Sequence, residues 1–267
     1  MRGDTSSAFF HHFRAAQHLL ERRQVSWPSY SNCGFSFALE VHLYLAVIAQ
    51  ITPGALGEAR LIRCDEEMFS FLPLVAPSNL NLLVPGSQTL FKLIPRVTTT
   101  AQKASRQGRF DHLAIGCMLS DILAWKPPIG RRKEDEISNA VAIMYRQALV
   151  MYLVLLHNGN VSHESMADKR MSDAQSVFWQ HLRMILWNSP VHTISVRPLL
   201  VAGSFFGRHA DQQALLQFLT EQHSRFYVLL PLTIGRLLRL LWSSSDLYGP
   251  FGLEQVMLMH NINIGIA

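Results

Sequence analysis

Ile137–His157, ISNAVAIMYRQALVMYLVLLH, is the stretch whose reading decides the fold. Val141, Met144, Tyr145, Ala148, Leu149, Tyr152, Leu155 and Leu156 recur at i, i+3, i+4, i+7 spacing. That is the period of an α-helix, and the run is too long for a strand. Glu134, Asp135 and Glu136 precede it, where negative charge suits the positive end of a helix dipole. Asn158-Gly159-Asn160 follows as a left-handed stop. Val150, Met151 and Val154 lie off the main stripe, so the pattern predicts a central scaffold helix covered on more than one side.

Outward from this helix, further helical stretches follow. Arg109–Trp125 places Phe110, Leu113, Ala114, Cys117, Met118, Asp121, Ile122 and Trp125 largely on one face, ended by Pro127-Pro128-Ile129-Gly130. Gln88–Ile94 suits one or two turns closed by Pro95. After the central helix, Val161–Ser172 reads as a loop, and Asp173 as the cap of a helix from Ala174 to about Trp187. Its expected inward stripe is Val177, Phe178, His181, Leu182, Ile185 and Leu186. Arg197-Pro198 opens the next helix, with Pro198 in the first turn and Gly207 at the end. Asp211–Tyr227, Leu232–Trp242 and Gly252–Ile264 complete the series. Towards the N-terminus, Ser36–Ile51 reads as a buried helix and 52–86 as irregular. Residues 1–35 form an arm whose Phe9, Phe10, Phe13, Ala16, Leu19 and Leu20 suit an amphipathic helix. The expectation is an all-α fold of irregular stacked helical hairpins over 36–267, without a clean repeat period.

Composition bounds the function. With 49% hydrophobic and 16% charged residues, the 267-residue chain is a core-rich globular protein. The net charge of +5 is mild, and Arg22-Arg23, Arg131-Arg132-Lys133 and Arg236/Arg239 form no long basic run. They read as solvated flanks rather than a nucleic-acid surface. Cys33, Cys64 and Cys117 are far apart, which argues against a disulfide framework or a zinc site and fits a reducing interior. The N-terminus shows no export signal. Leu39–Ile51 and Ala148–Leu156 are too short to span a membrane, so no membrane association is expected.

Catalytic patterns are weak. The chain has no GxSxG elbow, no GxxxxGK[ST] loop and no HExxH helix; His163-Glu164 lacks the second histidine, and His11-His12 cannot share a helix face. His42, His112, His157, His181 and His223 sit beside apolar stripes and read as core or boundary residues; Asp111-His112 is the one adjacent carboxylate. Trp125, Trp179, Trp187 and Trp242 could line a pocket but read first as core. Met144, Met151, Met184, Met257 and Met259 add adaptable packing that also suits a partner groove. No catalytic, cofactor-binding or metal-ligating residue is nominated.

Four pieces carry a resemblance. Ala142–Leu153, AIMYRQALVMYL, follows the pattern YR-x-A-x-x-x-YL. Val196–Ser204, VRPLLVAGS, is similar to WPLFVAGCE, and Leu237–Asp246 with Leu253–Ile266 is similar to a closing LW…D…W…VM…G region. In this order they resemble the regulatory, middle-homology domain of fungal zinc-cluster transcription factors, the group that includes the acriflavine-sensitivity regulators. Departures are Arg197 before Pro198, Ser204 after Gly203, and Leu253 in place of a common tryptophan. The family's zinc cluster needs six closely spaced cysteines, and this chain has three. The resemblance therefore implies a nuclear regulatory domain without the module that reads DNA: either the protein is naturally truncated, or it acts through partners. The partners expected are the transcription machinery or another zinc-cluster factor, with DNA touched only indirectly. A secondary-metabolite gene cluster is the expected target. A helical enzyme or small-ligand-binding protein of secondary metabolism, using the tryptophans and histidines, is the alternative.

Overall fold

The structure, a computed structural model, describes residues 87–127, 133–159, 168–185, 195–227, 229–260 and 262, with 15–16, 19 and 41–43. The remainder of the expected 1–35 arm, the 52–86 stretch, Arg131-Arg132, His163-Glu164 and Trp187 lie outside the described residues. Of the expected Ser36–Ile51 helix only 41–43 is described; it is helical, with His42 and Leu43 buried. Among the described residues the architecture is all-α, with no strand.

Eight helices follow one another: α1 (Gln88–Gln107), α2 (His112–Ala124), α3 (Lys133–His157), α4 (Lys169–Leu182), α5 (Val196–Gly203), α6 (His209–Phe226), α7 (Leu230–Trp242) and α8 (Gly249–Met259). The central helix α3 packs against α1, α2, α4, α5 and α8, which is why it is apolar all round. From Ala140 to Leu156 every residue except Ile143 and Arg146 is buried. It begins at Lys133, earlier than the periodicity implies, so the acidic triplet lies in its first turns rather than before it. It stops where expected, at Gly159 with φ 62°. By length and composition Glu136–His157 could cross a membrane, a longer run than the apolar segment Ala148–Leu156 suggests; 83% of its apolar window is buried inside the fold. The second layer is the hairpin α6–α7, closed on α3 by the short α5 and by α8.

Expectations for five helices need correction. Pro95 does not close α1; it sits inside a 20-residue helix that runs on to Gly108 in the left-handed conformation. Leu90, Ile94, Val97, Ala101 and Ala104 are all buried, and that continuous stripe outweighs the one backbone bond proline deletes. On α2 the buried residues are Ile115, Met118, Leu119 and Ile122, whereas Leu113, Cys117 and Asp121 face out. This helix is apolar almost all round, so periodicity alone does not select a face; the α3 partner does. The helix α4 starts at Asp168, five residues before Asp173, because the Asp168 carboxylate accepts from the Arg170 N–H at 2.8 Å. It also ends at Leu182, short of Trp187, and its buried stripe is Met171, Ala174, Phe178 and Leu182. The helix α5 ends at Gly203 rather than reaching Phe206, and α8 ends at Met259 rather than at Ile264.

Candidate functional site: the polar seam around α5

Two places concentrate buried polar chemistry, and both coincide with the stretches that carry the family resemblance. The first is Tyr145-Arg146 on α3. Tyr145 is buried and meets Phe91 of α1 edge-on, ring centroids 5.0 Å apart. Arg146 reaches the opposite way. Its Nε donates to the Ile122 carbonyl at 2.9 Å and its Nη2 to the Leu123 carbonyl at 2.8 Å. Those are among the last carbonyls of α2, which no helical N–H can reach, and a cation there also suits the helix dipole. One dipeptide thus ties α1 and α2 to the central helix.

The second place is the C-terminal end of α5, a helix whose eight residues are all buried. A buried helix end must find a donor for each carbonyl. Here the donors come from four other helices and their caps. Leu200 and Ala202 carbonyls accept from the Ser204 and Phe205 N–H groups, and the Val201 carbonyl accepts from Ser204 Oγ at 2.6 Å. The Gly203 carbonyl accepts from Phe206 N–H and from Trp242 Nε1 of α7 at 3.0 Å. The Ser204 carbonyl accepts from Gly249 N–H of α8 at 3.1 Å. The Phe205 carbonyl accepts from Gln175 Nε2 of α4 at 3.0 Å and from the Tyr248 hydroxyl at 3.4 Å. The Phe206 carbonyl accepts from Gln212 Nε2 of α6 at 2.8 Å. Every carbonyl from Leu200 to Phe206 is satisfied. The segment is a junction that fixes α4, α6, α7 and α8 relative to one another.

The charged end of α5 faces α3. Arg197 is only 2% exposed, an unusual place for a guanidinium. The Tyr152 hydroxyl is fully buried and has no hydrogen-bond partner among the described residues. Burial pushes its pKa well above the ordinary tyrosine range, with Arg197 pulling it down and Glu254 of α8 pushing it up. Burial likewise raises Tyr248. At the C-terminal end of α5 the chemistry is recognition of backbone carbonyls, which positions helices, and Ser204, Gln175, Gln212, Trp242 and Tyr248 donate to them.

Of the five histidines beside apolar stripes, His157, His181 and His223 are half-buried, His112 is exposed and His42 is buried. His112 and His157 meet edge-on at 5.8 Å, and His181 Nδ1 lies 2.8 Å from the Val177 carbonyl. Asp111 caps α2 by accepting from the Ala114 N–H at 3.0 Å. Among the described residues no group of three His, Cys, Asp or Glu side chains could hold a metal ion. Trp125, Trp179 and Trp242 pack on the core; Trp179 stacks on Phe206 at 5.2 Å. Met144 and Met151 are core, whereas Met184 and Met259 are exposed. Sequence reading missed Gln175, Gln212 and Tyr248 as junction residues. A glutamine on an otherwise apolar helical stripe is the only signal they offer, and it is shared with many surface glutamines.

Residues 1–253 match the family model described as the fungal specific transcription factor domain. No curated protein and no solved structure matches the chain. The match takes in both Tyr145-Arg146 and the α5 junction, so the elements that hold the fold together are those the family model spans. The chain belongs to the fungal specific transcription factor domain family.

Proposed function

We propose that this chain is a transcription regulator of the nucleus that works through protein contacts, reaching DNA through the transcription machinery or a zinc-cluster factor. The observation that carries the reading is the family match over 1–253. Three cysteines, with Cys117 exposed and free, do not make a six-cysteine zinc cluster within residues 1–267, so we read this stretch by itself as reaching DNA indirectly. The side chains at the C-terminal end of α5, Gln175, Ser204, Gln212, Trp242 and Tyr248, are engaged in holding helices, which supports a scaffold role for that segment. A secondary-metabolite gene cluster is the target class we favour.

Transcript profiling of a strain lacking the gene tests this. A coherent set of genes, rising or falling together, is expected. Flat transcripts with an accumulating metabolic intermediate would replace regulation by the enzyme reading. Tight binding of the isolated chain to a defined DNA site would overturn the indirect-contact part.

A further inference from the structure

The turn between α6 and α7 reads Phe226–Leu232, FYVLLPL, seven apolar residues in a row. Tyr227 is 85% exposed and Leu229 69%, and Phe226 and Leu232 are exposed to 43% and 41%. Among the described residues Tyr227 is the one non-glycine with positive φ, 53°. It stands at the end of α6, its N–H donating to the His223 carbonyl at 2.8 Å, where glycine is the usual occupant. An aromatic ring held in a strained backbone well and turned to solvent has no packing reason to be there.

The exposed face continues along α7. Leu229, Leu232, Arg236 and Arg239 are all exposed, at intervals of three, four and three, so they form one stripe opposite the buried Ile234, Leu237, Leu238 and Leu241. Among the described residues neither Arg236 nor Arg239 forms an ion pair. The stripe is apolar at the turn and cationic one to two helical turns on, over about 15 Å at the α-helical rise.

We propose that this stripe, from Tyr227 to Arg239, docks a protein helix that carries apolar side chains at one end of its contact face and acidic ones at the other. Charge complementarity selects the occupant. A helix laid along α7 sets its apolar residues on Tyr227, Leu229 and Leu232 and its carboxylates on Arg236 and Arg239. A neutral bilayer would take the apolar turn alone and leave both arginines in water; an anionic one would also attract them, and the vesicle control separates that case. The inference goes beyond the regulatory reading and does not depend on it, since the contact is testable with purified components.

The probe is a fluorescein-labelled synthetic helix with leucine and phenylalanine at one end of its contact face and Asp and Glu at the other, titrated with the full chain. Saturable binding that weakens as salt rises is expected. The double variant R236E/R239E should lose affinity by about tenfold or more. Tyr227→Gly is the sharper test. Glycine is at ease at φ 53°, so this variant should melt no lower than the parent and still bind the helix about threefold more weakly or worse. Equal affinity of both variants and parent would overturn the proposal. So would equal binding of a control helix with lysine for every acid, binding seen only to phosphatidylserine vesicles, or self-association that the same substitutions abolish.

Discussion

Gly203 sits where three helices come closest. A Cβ built there lies 2.7 Å from Leu215 Cδ2 and 2.9 Å from Leu238 Cδ1, both on fully buried leucines. Those leucine ends would have to shift within a filled core, so Gly203→Ala should cost about 1–3 kcal/mol, read as a lower urea midpoint. The opposite sign is expected at Tyr152. Its hydroxyl is buried without a hydrogen-bond partner among the described residues, and such a group is costly to desolvate. Tyr152→Phe keeps the ring against Phe251 and should leave stability unchanged or raise it by up to about 1 kcal/mol. A marked loss in equilibrium unfolding would instead mean that the hydroxyl is in use.

At the scale of elements, helix ends carry more of the organisation than helix faces do. Asp168 shows how one cap can decide where a helix starts. Its carboxylate takes the Arg170 N–H and the Arg170 side chain, and Asn158 from the end of α3 approaches it at 3.4 Å. The hydrogen bonds from Arg170 hold its pKa down at about 2, below the ordinary aspartate value of 3.8. A depressed carboxylate contributes stability that is fully present above the unfolded value and is lost as pH falls through the folded one. Asp168→Ala should therefore cost about 1 kcal/mol at neutral pH. Because the site is near the surface, screening keeps the electrostatic part at or below about 1 kcal/mol. The difference between variant and parent midpoints should shrink between about pH 4 and pH 2. A difference that stays constant across that range would assign the loss to something other than the charge. Pro95 teaches the complementary lesson. It reads as a stop in sequence, yet α1 continues because Val97, Ala101 and Ala104 extend the stripe begun by Leu90 and Ile94.

At the scale of the molecule, α3 joins the layers. Leu153 is fully buried on this helix, which itself packs against five others. Leu153→Ala should cost about 2–5 kcal/mol, and loss of the single cooperative transition in thermal melts is the expected accompaniment. A change below 1 kcal/mol, roughly the level of an exposed site, would mean that the layers do not depend on this helix.

The sequence by itself determined the helical class, the central place of Ile137–His157, the stop at Gly159 and the family. Each of these rests on local periodicity, local turn chemistry or an ordered motif, which a linear chain carries without help. The tertiary structure alone decided which face of α2 is buried, that α1 runs through Pro95, and that Gln175, Gln212, Trp242 and Tyr248 converge on the end of α5. The reason is physical. An all-apolar helix has no preferred face until a neighbour covers it, and a buried carbonyl takes whatever donor the packing brings, from residues 30 to 43 positions away in the cases of Gln175, Trp242 and Tyr248.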